Sequence, residues 1–151
     1  MSLEEEIKKL INSARETERI QLAKEDDKRE KERKISEHYF EPIHKVLTVA
    51  KKEFERSPNI TFKMWDKETS YADIDLKSER DLYRIGISCT PFEEDEGYRI
   101  SYLMNVSSIY NNEEYYHHYF EQDEVTELLK KTFNLIASFE AKGYLTSLDC
   151  K

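Results

Sequence analysis

The hydrophobic period of this chain changes twice, and those two changes bound what it can fold into. Before Ser57-Pro58 apolar residues recur every three to four positions, after it every second position, and from about residue 123 the three-to-four spacing returns. A period near 3.6 belongs to an amphipathic helix, and a period of two to a strand buried on one face. Helices, then strands, then a helix in 151 residues predict a single α+β fold. Its parts are an N-terminal helical arm, an amphipathic helix, an antiparallel meander of about five strands, and a C-terminal helix packed on one sheet face.

The arm, residues 1–34, opens on Ser2 with Glu5 three positions later, the pattern of a capping box. Leu3, Ile7, Leu10, Ile11 and Ala14 then form a narrow stripe, which fades past Thr17. Residues 24–34 contain no apolar side chain, and acids precede bases by four in Glu25/Arg29, Asp27/Lys31 and Glu30/Lys34. Each such pair adds only about 0.2–0.5 kcal/mol to a helix, so the segment has nothing of its own to bury.

The folded part is expected at 35–151. Ile35, Tyr39, Ile43, Val46, Leu47, Ala50 and Phe54 give the second helical stripe, with Pro42 inside it as a kink or a fresh first turn. Beyond Pro58, Ile60, Phe62 and Met64 share a face, followed by a turn at 66–69. Ala72, Ile74 and Leu76 continue the alternation, then Tyr83, Ile85, Ile87 and Cys89 up to a stop at Pro91. After an acidic loop at 92–97 come Tyr98, Ile100, Tyr102, Met104 and Val106, and then an aromatic run at 115–120. Asp123 is the expected N-cap of the last helix, with Val125, Leu128, Leu129, Thr132, Phe133, Ile136 and Phe139 inward and Gly143 as its left-handed stop. In element order this resembles helix-grip and cystatin-like folds, a likeness of topology that implies no function.

Charge narrows the partners. Residues 1–56 hold 14 basic and 14 acidic side chains, whereas residues 57–151 hold 10 and 18, so the whole excess of −8 lies in the second stretch. An acidic domain lacks the Lys/Arg that displace counterions from phosphate, and nucleic acid is not expected as a partner. No apolar run approaches the ~20 residues of a membrane span. The acidic start carries no basic leader, and Cys89 and Cys150 have no paired spacing, so a reduced cytoplasmic setting is expected.

Asp73, Asp75 and Lys77 alternate on one strand face, as a metal-dependent nuclease would need, but the spacing is common in solvent-facing strands. His117 and His118 are strand neighbours that point to opposite faces, so no metal ligand set and no cofactor site is expected. No serine or cysteine has a paired base, and three glycines leave no phosphate loop, so no catalytic residue is assigned. Tyrosine is the unusual residue: ten in all, eight of them between 71 and 119. It serves binding surfaces and half-buried sheets alike.

The expected function is therefore non-enzymatic: a protein-interaction module of adaptor, inhibitor or chaperone-like type, joined to a protein partner or to itself. Ile7, Leu10 and Ile11 are the expected helix contacts, and Glu93, Glu94, Glu96, Tyr115 and Tyr116 the expected sheet contacts. The alternatives are a small-molecule-binding domain or modest enzyme, with a pocket between sheet and C-terminal helix lined by Tyr, His118 and Trp65, and the nuclease above.

Overall fold

The computed structural model describes residues 2–64 and 70–151. Trp65 and the expected turn at 66–69 lie outside the described residues. The element order is α1 (Leu3–Phe54), β1 (Ile60–Met64), β2 (Tyr71–Lys77), β3 (Leu82–Glu94), β4 (Gly97–Ser108), β5 (Glu113–Glu121), a 3₁₀ turn (Gln122–Glu124) and α2 (Val125–Lys142). The chain divides into two compact units, Met1–Lys34 and Ile35–Lys151.

The first unit is the leading part of α1. Ser2 Oγ accepts the Glu5 amide at 3.3 Å, satisfying one orphan donor of the first turn. Glu16 pairs with Arg19, and Glu30 turns to Arg33 at i+3 rather than Lys34 at i+4. No described residue before Ser36 is buried.

The second unit holds the core. Its five strands pair in sequence order, β1-β2-β3-β4-β5, each antiparallel to the next. Ile60, Ile74, Ile85, Met104 and Phe120 are among the residues that face one side of the sheet, and α1 and α2 complete the layer on that side. From α1 come Phe40, Ile43, Leu47 and Ala50; from α2 come Leu128, Leu135, Ile136 and Phe139. The buried stripe of α1 is thus rotated from the expected one: Ser36 and Phe40 go in, while Val46 stays exposed. Phe54 stacks on Phe62 of β1, and the Tyr102 hydroxyl of β4 donates to the Tyr39 carbonyl at 2.9 Å.

Two local expectations are corrected. β3 runs through Pro91 to Glu94 instead of stopping. Cys89 donates its amide to Ser70 on the β2 side, and Pro91 shares that parity, so its missing N–H faces an edge that β2 has already left. Asp123 does not cap α2; it sits within the 3₁₀ turn, where Glu124 Oε1 accepts the Glu121 amide at 3.1 Å. The chain after Gly143, whose φ of +83° ends α2, does not fray: Leu145 and Cys150 are buried, and Asp149 holds the Thr146 amide at 2.7 Å.

Candidate functional site

In the first unit, Leu3, Ile7, Leu10 and Ile11 lie within about 100° of helix surface, since each residue turns the helix by about 100°. They remain 72, 46, 71 and 45% exposed, and Ala14, next on the stripe, is exposed as well. Covering such a side chain returns on the order of 1–2 kcal/mol before ordering costs are subtracted. Alternating steps of four and three carry the stripe onward as Leu3, Ile7, Leu10, Ala14, Thr17, Gln21, Lys24, Lys28 and Lys31. A parallel pairing of two copies along that line would set three lysines against their own counterparts, which disfavours a long self-zipper. What is left is a short apolar face of about three turns with an acidic first turn, Glu4, Glu5 and Glu6. Apolar residues at this spacing are the anchors by which a helix seats in another protein's groove.

In the second unit the structure separates the expected sheet contacts. Glu93 and Glu94 end β3, and Glu96 lies in the turn to Gly97, whose φ is +133°. Arg99 ties this tip to β5, reaching Glu94 at 3.1 Å and Glu121 at 2.9 Å, with its guanidinium 4.8 Å over the Phe92 ring. Tyr116 instead faces Val106, nine residues along β4 from Gly97, or about 30 Å at 3.3 Å per residue. A bulge between Val106 and Ser107 leaves Tyr115 and Tyr116 half-buried against the core. Tyr115 meets Tyr83 with centroids 6.2 Å apart, and Lys131 Nζ stands 4.1 Å above Tyr116. The acidic tip and the tyrosine pair are therefore two places, not one surface.

The outer face of the sheet carries the charged strand pattern. Asp75 is buried beneath Arg84 and Lys63, both 2.8 Å away. Burial pushes its carboxyl up, but the hydrogen bonds and charges of Arg84 and Lys63 outweigh that and hold it below the usual carboxylate range. Asp73, two residues along, is raised, chiefly by burial. Its Oδ1 leans over Gly86, where a Cβ would meet it at 3.3 Å. Two bases thus already hold Asp75, and among the described residues no group of three or more His, Cys, Asp or Glu is placed to bind a metal. His117 and His118 take opposite faces: His117 meets Tyr119, and His118 meets Phe120.

Between sheet and helices, Ile74, Ile85, Met104, Val106, Leu128 and Ile136 are all fully buried. The groove beside His118's strand, lined by Tyr116, Phe120, Lys130 and Lys131, is open to solvent. Burial raises the Cys89 thiol to about 12 and lifts Cys150 as well, so neither is poised as a nucleophile.

Sequence reasoning missed Asp81, which the fold uses heavily. Only 3% exposed, it accepts from the Leu82 amide at 2.8 Å, the Tyr110 amide at 3.3 Å, Asn111 Nδ2 at 3.0 Å and the Ser108 hydroxyl. It pins the turn before β3 to the turn after β4. No helix among the described residues is long and apolar enough to cross a membrane. Comparisons with known families, with curated proteins and with solved structures find no match.

Proposed function

We propose that the protein is a non-enzymatic interaction module whose docking element is the helix of the first unit, seated by Leu3, Ile7, Leu10 and Ile11 in an apolar groove of a partner protein. One observation carries this reading: four large apolar side chains line one side of a helix and stand exposed among the described residues. A helix that served only as a solvated spacer would gain nothing from them. The acidic first turn asks for a basic rim at the matching end of the groove.

The test uses the full-length protein and its Ile7→Asp/Leu10→Asp variant as baits, followed by calorimetry with the purified partner. Two anchor losses are expected to weaken binding by about a hundredfold or more, near 2.7 kcal/mol. Thermal unfolding of the variant should match the parent. Equal binding by both proteins, or a marked drop in the variant's unfolding midpoint, refutes the assignment.

A further inference from the structure

The second unit ends its sheet on an open edge, and the direction of the backbone there can be worked out strand by strand. Cys89 donates to Ser70, so odd residues of β3 point at β2 and even residues at β4. Ile109 donates to the Leu82 carbonyl at 2.7 Å, in agreement. Gly86 faces Asn105, so odd residues of β4 point at β3 and even ones at β5. Met104 faces His118, which leaves the odd residues of β5 from His117 to Glu121, beyond the bulge at Tyr115, pointing outward. The Glu121 amide fits that parity, because Glu124 caps it from outside the ladder. His117 and Tyr119 therefore present their N–H and C=O groups to solvent, with no backbone partner among the described residues.

Natural edges are guarded by proline, lysine, inward charges or bulges. Residues 116–120, Tyr-His-His-Tyr-Phe, lie beyond the bulge at Tyr115 and contain none of these. We propose that this edge binds a second copy of itself, β5 against β5 in antiparallel fashion, about a two-fold axis through His118.

Of the three registers that use both outward residues, two fail. Centring on His117 sets Glu121 against Glu113 of the other copy and Phe120 against Glu114. Centring on Tyr119 requires the Glu121 amide, which Glu124 already holds. Centring on His118 pairs His117 with Tyr119 in both directions through four main-chain hydrogen bonds. It also sets Tyr116 opposite Phe120 and His118 opposite His118. Every side-chain pair from 116 to 120 is then aromatic, the favoured kind of cross-strand pair. The edge is complementary to itself in this one register, so a second copy is the occupant it fits, and the sheet becomes ten strands. This surface is independent of the helix stripe in the first unit.

Sedimentation of the full-length protein from micromolar to millimolar concentration should show a monomer–dimer equilibrium. Over that range hydrogen exchange should slow at the His117 and Tyr119 amides but not at Phe62, on the opposite edge. Tyr119→Lys replaces an aromatic cross-strand partner with a charged side chain at the edge and should abolish both effects. His118→Cys should form a disulfide-linked dimer under mild oxidation, since directly opposed non-hydrogen-bonded residues fall within disulfide reach. Ile7→Asp/Leu10→Asp should dimerise as the parent does, which separates this edge from the helix stripe. A monomer at millimolar concentration overturns the proposal. So does a dimer without protection at His117 and Tyr119, or one that forms equally well with Tyr119→Lys.

Discussion

Asp81 is a single side chain on which two turns depend, and its replacement should be the most costly polar substitution in the chain. In Asp81→Ala two amides, a hydroxyl and a carboxamide lose their acceptor, and the expected loss is about 2–4 kcal/mol, read by denaturant unfolding. Asp73 and Asp75 make an opposed pair. Asp75 has a depressed carboxyl, so its contribution is present above the unfolded-state carboxylate pKa and is lost as pH falls through the folded value. Asp73 is raised, so its charged form costs stability above its folded value, and the cost vanishes on acidification. At neutral pH Asp75→Asn should therefore lower stability by about 1–2 kcal/mol, and Asp73→Asn should leave it equal or slightly higher. Below the carboxylate range both differences should shrink, and a gain for Asp75→Asn at neutral pH would contradict the sign. Little of this was legible beforehand. The alternation put Asp73 and Asp75 on one face, but which of them meets Arg84 is set by register, and nothing local in Ser-Glu-Arg-Asp at 78–81 announces a buried carboxylate.

At the scale of elements the hydrophobic periods carried most of the reading. Five strands and two helical stripes follow from spacing alone because each element buries one face and the sequence must mark it. The misreadings have one physical cause, context beyond the local run. Pro91 is tolerated because β3 runs six residues past its last pair with β2, Tyr71 and Ser88. Asp123 loses the capping role because Glu124 turns back to Glu121. The tail after Gly143, where spacing marks no element, also packs, because Leu145 and Cys150 find the core. That last point is testable: neither Cys150 nor Cys89 should react with iodoacetamide in the native protein at mildly alkaline pH, and both should react once unfolded, as followed by mass spectrometry. Fast native labelling at Cys150 would show the tail to be detached. The tyrosines were the least readable residues. Composition flagged them, but only the bulge in β5 explains why Tyr115 and Tyr116 both turn toward the core.

Over the whole molecule, every buried apolar residue among those described belongs to the second unit. A protein of residues 35–151 should accordingly unfold within a few degrees of the full-length chain in calorimetry, although it lacks more than a fifth of the residues; a large fall would place the stripe residues in the core. The charge imbalance lies in the same unit, while residues 1–34 carry equal numbers of acids and bases. The core and the proposed docking helix thus lie in different stretches of sequence. Because no described residue before Ser36 is buried, the fold exerts almost no selection on the first thirty-four positions. They are free to drift, lengthen or be exchanged between relatives. Any position there that holds its identity through divergence is being kept by a molecule outside this chain.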